Sequence, residues 1–186
     1  MGGAADVLPG SSPDLKDVSD SVGSTLTRRL AATAALTATG IAGRVLLQHS
    51  PSVEPIVAIA VGIGFIHDWR HGASSGASGF FLSNFLVWGG QGPWTVFQVI
   101  GAGAAGATGG LFSRFSSSRT MFFASLVAAT VLYEFSVNLG SLVYGMGALN
   151  PAFLAAAVPF GLIHLTSSIS FGAMIYGFKE RIGRLY

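Results

Sequence analysis

Apolar residues run through this chain in long blocks, broken by short clusters of glycine, proline and charge. Six such blocks predict six membrane-spanning helices. The first covers about Leu26–Leu47, with Arg28 and Arg29 near its start and Arg44 near its end. A short second block, Val53–Ile66, ends at the polar turn 67–71, and a third runs from Ala73 to Trp88. The cluster Gly89–Pro93 separates it from a fourth, Trp94–Phe112. Basic and serine residues 113–119 precede a fifth, Met121–Tyr144, and a sixth follows Asn150 and Pro151 to about Phe178. Residues 1–24, rich in Gly, Ser, Pro and Asp without an apolar period, are expected to form a disordered cytoplasmic tail. The fold expected is an all-α membrane protein: a six-transmembrane-helix bundle over residues 25–186.

Composition agrees. Of the 186 residues, 51% are hydrophobic and 10% charged, with a mean hydropathy of +0.61, against about 25% charge in an ordinary soluble domain. The tail holds four of the eight acids but only Lys16 of the ten cations, so the remainder is basic. Those cations fall on alternate connections: Arg28 and Arg29, Arg70, Arg114 and Arg119, then Lys179, Arg181 and Arg184. The intervening stretches, about 48–52, 89–93 and 145–151, have no Lys or Arg. Cytoplasmic loops accumulate these residues, which predicts an N-in, C-in topology with an even number of spans. The Arg28–Arg29 pair ahead of an apolar run is also compatible with an export signal, but an acidic tail precedes it and further spans follow. No basic stripe interleaved with aromatics suggests nucleic-acid binding. The absence of cysteine removes disulfides, thiolate metal sites and cysteine nucleophiles.

Polar groups inside the spans carry the candidate chemistry, because a group that is costly in hydrocarbon faces a partner helix or a watery cavity. At the helical rise, Arg44, Asn84, Gln98 and Asn138 lie within roughly 10 Å of the outer face, Glu134 about 15 Å and His164 about 20 Å deep. Glu134 and Asn138, four residues apart, share one helix face. They read either as a polar pocket opening outward or as a hydrogen-bond network locking the bundle, in which Glu134 meets Arg44 or His164. His164 taken alone reads as a structural histidine.

Residues 43–98 carry a recognisable pattern: Gly43, Arg44, Val45 and Leu46; Pro51, Val53 and Pro55; Gly72, Gly76 and Gly79; then SNFLVWGGQGPWTVFQ from Ser83 to Gln98. This resembles the substrate-binding S components of energy-coupling-factor (ECF) importers, in the branch with an SNF…GQGPWTPWQ signature. Val96 and Phe97 stand where that signature has Pro and Trp. The resemblance implies a non-enzymatic receptor in a prokaryotic plasma membrane that captures a vitamin or related micronutrient from outside. It also implies partners: a transmembrane coupling (T) subunit and two ATPase subunits. Arg44, Asn84, Gln91, Trp94 and Gln98 would shape the site or its closing loops; Glu134, Asn138 and His164, singled out above as polar groups within the spans, complete the expected substrate-binding set. Ala31 and Ala35, with Ala34 and Ala38 beside them, would form the small-residue seam for the coupling subunit. The chain has no GxxxxGK[ST] motif, and Lys16 and Lys179 lie outside the spans, so the motor must be external. No cofactor is expected.

Two other chemistries compete. Gly76, Ala77, Ser78 and Gly79 spell GxSG, and with His164 suggest a rhomboid-like intramembrane serine protease. A nucleophile must come within about 3 Å of its base, whereas Ser78 and His164 are expected roughly 10 Å apart in depth. His67, Asp68 and His71 have the types and spacing of metal ligands, but a short loop beside Arg70 reads as a solvated turn, so no metal is expected there. A stand-alone channel or carrier would need a through-path or repeated halves, and the sequence shows no convincing internal repeat.

Overall fold

The computed structural model describes residues 15–144 and 151–186. Among these, the chain is helical without a strand: α1 (Leu15–Leu47), α2 (Ile56–Ile66), α3 (Trp69–Ser83), α4 (Trp94–Ser113), α5 (Arg119–Val143), α6 (Pro151–Gly177) and α7 (Lys179–Gly183). Among the described residues, four helical stretches are long and apolar enough to cross a membrane: Val22–Leu47, Trp94–Ser113, Arg119–Val143 and Ala157–Gly177. The protein is therefore all-helical and membrane-embedded.

The remaining two blocks are shorter. The 11 residues of α2 reach about 16 Å, against a hydrocarbon core of about 30 Å. This helix lies at the centre, with Val57, Ala58, Ala60 and Val61 shut off from the surface. Its length is fixed at both ends. Pro55 precedes it and Glu54 Oε2 accepts the Ile56 N–H at 3.2 Å. At its far end Asp68 starts α3 at once, its Oδ1 accepting the N–H groups of Arg70 at 2.7 Å and His71 at 3.1 Å.

Packing of α2, α3 and α4 relies on missing side chains. A Cβ on Gly106 would stand 2.1 Å from the Gly72 carbonyl oxygen, and one on Gly76 2.1 Å from that of Ala102. Backbone therefore meets backbone, as small residues allow between membrane helices. A core of larger groups, including Phe80, Phe122, Leu126 and Tyr133, joins α5 to the rest. At the periphery, α1 packs on α2 and α3, and α6 on α2 and α5.

Two expectations need revision. The helix expected from residue 26 begins at Leu15, since no proline separates Pro13 from Pro51; residues 1–14 of the expected tail lie outside the described residues. The third block ends as a helix at Ser83 instead of Trp88. Phe85, Leu86 and Trp88 are exposed and the backbone there turns, with Leu86 N bonded to Ser83 O at 2.8 Å. Residues 145–150 of the expected cation-free connection also lie outside the described residues.

Candidate functional site

Connections 48–55 and 84–93 meet at one end of the bundle, with the C-terminal parts of α1, α3 and α5 and the N-terminal parts of α4 and α6. They enclose a cavity of about 520 Å³. The first of these connections leads into the short α2 and the second follows α3, so both helix ends open onto this space.

The first polar cluster is centred on Asn84. Arg44 Nη1 donates to Asn84 Oδ1 at 2.7 Å and to Ser83 Oγ, and its guanidinium lies 4.5 Å from the centre of the Phe80 ring. Asn84 Nδ2 donates to Gln98 Oε1 at 2.8 Å and to Thr95 Oγ1 at 3.0 Å. One buried amide thus joins α1, α3 and α4.

The second cluster is centred on His164. Its Nδ1 is 2.6 Å from Glu134 Oε1 and its Nε2 3.0 Å from Glu54 Oε1. A neutral imidazole has a single N–H, so holding both carboxylates needs a further proton, on the ring or on a carboxyl. Tyr133 packs edge-on against the ring at 5.2 Å. Asn138 Nδ2 is taken by the Glu134 carbonyl, 2.7 Å away.

Of the eight residues singled out from the sequence as substrate-binding, seven line this cavity: Arg44, Asn84, Trp94, Gln98, Glu134, Asn138 and His164. Gln91 does not; its Nε2 donates to the Phe81 carbonyl at 2.7 Å, bracing the connection from outside. The two readings of the polar residues, pocket and network, are both realised: the groups bond one another and still surround a void. Glu54 was missed. It sits between Pro51 and Pro55 at the outer end of the expected second block, and it is buried. A carboxylate directly ahead of an apolar run between two prolines was the available signal, because the helix it precedes carries it inward.

The other candidates lie elsewhere. Ser78 is exposed on α3, donates to the Ser74 carbonyl at 2.6 Å and does not line the cavity. Ala31 and Ala35 face outward on α1, as do Ala34 and Ala38. The solvated turn expected at 67–71 is corrected: the His67 and His71 side chains are only 11% and 16% exposed, with Asp68 at 38%. Burial, reinforced by neighbouring His71 and Arg29, holds the His67 ring below the ordinary imidazole value against the pull of Asp68. Loop length says nothing of burial, and the Tyr186 ring stacked on His67 at 4.2 Å is remote in sequence.

No family model, curated protein or solved structure matches this chain.

Proposed function

We propose that this protein is the substrate-binding component of an ECF-type importer, capturing a small polar or amphipathic micronutrient in the cavity and delivering it through a coupling subunit driven by two ATPases. One observation carries the reading. Residues of the SNF…GQGPWT segment converge with mid-span groups of α5 and α6 on a single cavity of about 520 Å³, within the roughly 300–1,000 Å³ typical of small-molecule sites. Two carboxylates at one side can accept donors or a cation from a ligand, Arg44 can meet an acceptor, and the rings of Phe80, Tyr133 and Phe160 suit an apolar body.

In this reading α2 and α3 serve as the second and third of six crossings, short because the cavity replaces their outer turns. The cavity then opens to the exterior of a prokaryotic cell, and the basic connections face the cytoplasm. Catalysis is not part of the proposal: both His164 nitrogens face carboxylates, and Ser78 Oγ donates to a backbone carbonyl. The test is mass spectrometry of small molecules that copurify with the protein, followed by equilibrium binding of the compound found. Saturable 1:1 binding competed by close analogues supports the assignment. A preparation that holds no small molecule and binds none of a vitamin panel would overturn it.

A further inference from the structure

At the end of the bundle opposite the cavity, the corner between α2 and α3 gathers two imidazoles and a carboxylate. We propose that His67, Asp68 and His71 form a Zn²⁺ site. One ligand atom from each residue lies within 4.8 Å of the others. Asp68 Oδ2 is the shared point, 2.8 Å from His71 Nδ1 and 3.4 Å from His67 Nε2. Tetrahedral zinc with bonds of about 2.0–2.1 Å sets its ligands about 3.3 Å apart. The His67–Asp68 pair already has that spacing, and the His71–Asp68 pair needs to open by about half an ångström.

Two further observations separate this corner from an ordinary helix cap. The Nε2 atoms of His67 and His71 are both shut off from solvent and have no hydrogen-bond partner among the described residues, a condition that buried nitrogens rarely tolerate. Coordination satisfies the one on His67 directly. The surrounding groups also hold the ligands in place. Asp68 Oδ1 is occupied by the Arg70 and His71 N–H groups, which leaves Oδ2 turned toward the imidazoles. Tyr186 stacks on His67, and its hydroxyl is 3.1 Å from Thr33 Oγ1, so α1 buttresses the ring from behind.

Neighbouring cations are engaged elsewhere. Arg29 Nε donates to the Tyr186 carbonyl at 3.2 Å, and the Arg70 guanidinium lies over Trp69. Two nitrogens and one oxygen suit a borderline divalent ion, in contrast to the all-oxygen sets of calcium and magnesium. Three protein ligands leave a fourth position for water or an incoming group. Zinc here would tie the α2–α3 corner together independently of anything in the cavity.

The test uses the full chain in detergent, without a polyhistidine tag and after chelator treatment, titrated with Zn²⁺ by calorimetry and followed by its thermal midpoint. One equivalent should bind and raise the midpoint. His71→Ala should weaken binding about tenfold or more. Asp68→Asn, which retains the oxygen that caps α3, should do the same and so separates lost coordination from lost folding. His49→Ala, at the opposite end of the bundle, should bind as the parent does. Absence of stoichiometric binding, parental affinity retained in both His71→Ala and Asp68→Asn, or loss in His49→Ala alone would each overturn the site.

Discussion

Arg44 Nη1 donates to Asn84 Oδ1 across 2.7 Å, and that bond decides which way the Asn84 amide faces. With its oxygen committed to α1, the amide nitrogen turns to Thr95 and Gln98 on α4. Arg44→Lys keeps the charge but loses the Nη1 position that donates to both Ser83 and Asn84, and the flat guanidinium lying over Phe80. The expected loss is about 1–3 kcal/mol, read as a lower thermal midpoint in detergent, with weaker ligand binding. An unchanged melting curve would show that the bond contributes nothing to the bundle.

The two glutamates should separate by phenotype. Glu54 is buried, with Oε1 against His164 and Oε2 accepting the Ile56 N–H. Glu134 shares one oxygen with His164, and its side chain is 27% exposed toward the cavity. Glu54→Gln is expected to destabilise by about 1–3 kcal/mol. Glu134→Gln should leave the melting midpoint nearly in place while ligand affinity falls; unchanged affinity would make Glu134 a brace between α5 and α6.

Backbone contact between α3 and α4 predicts a steep response to added volume. Gly106→Val places atoms where the Gly72 carbonyl already stands and should cost at least about 1–3 kcal/mol, visible as poor monodispersity and early melting. Gly177→Ala, where a Cβ meets nothing within 4 Å, should be neutral or stabilise by a few tenths of a kcal/mol.

Assembly and capture are expected to reside on different surfaces. Ala31→Leu or Ala35→Leu enlarges an exposed position on α1 and should abolish copurification with the coupling subunit while ligand binding persists. Normal copurification of both variants would remove that seam.

A direct contrast with proteolysis comes from Ser78. Ser78→Ala should leave uptake at the parental rate, whereas cleavage of a membrane substrate that disappears in this variant would favour the protease.

Much of the site was legible because hydrocarbon makes polar residues conspicuous: Arg44, Asn84, Gln98, Glu134, Asn138 and His164 stand out of apolar runs, and they meet. Glu54 escaped although the expected second block begins at Val53, because a carboxylate at the outer end of a block reads as facing water. Helix ends were less legible than helices. At Phe85–Trp88 the same apolarity belongs to a turn at the cavity's edge, which hydropathy cannot distinguish from a continuing helix. Burial of His67 and His71 depends on Tyr186 and Thr33, contacts that no local pattern encodes.

Where α4 crosses α2 and α3, main chain already rests on main chain, so that trio has no free volume to yield. Any swelling or shrinking of the chamber must be absorbed by α1, α5, α6 and the two irregular connections around its mouth. Guests of different bulk would thus be sorted by how far those outer pieces can shift, against a floor that stays still.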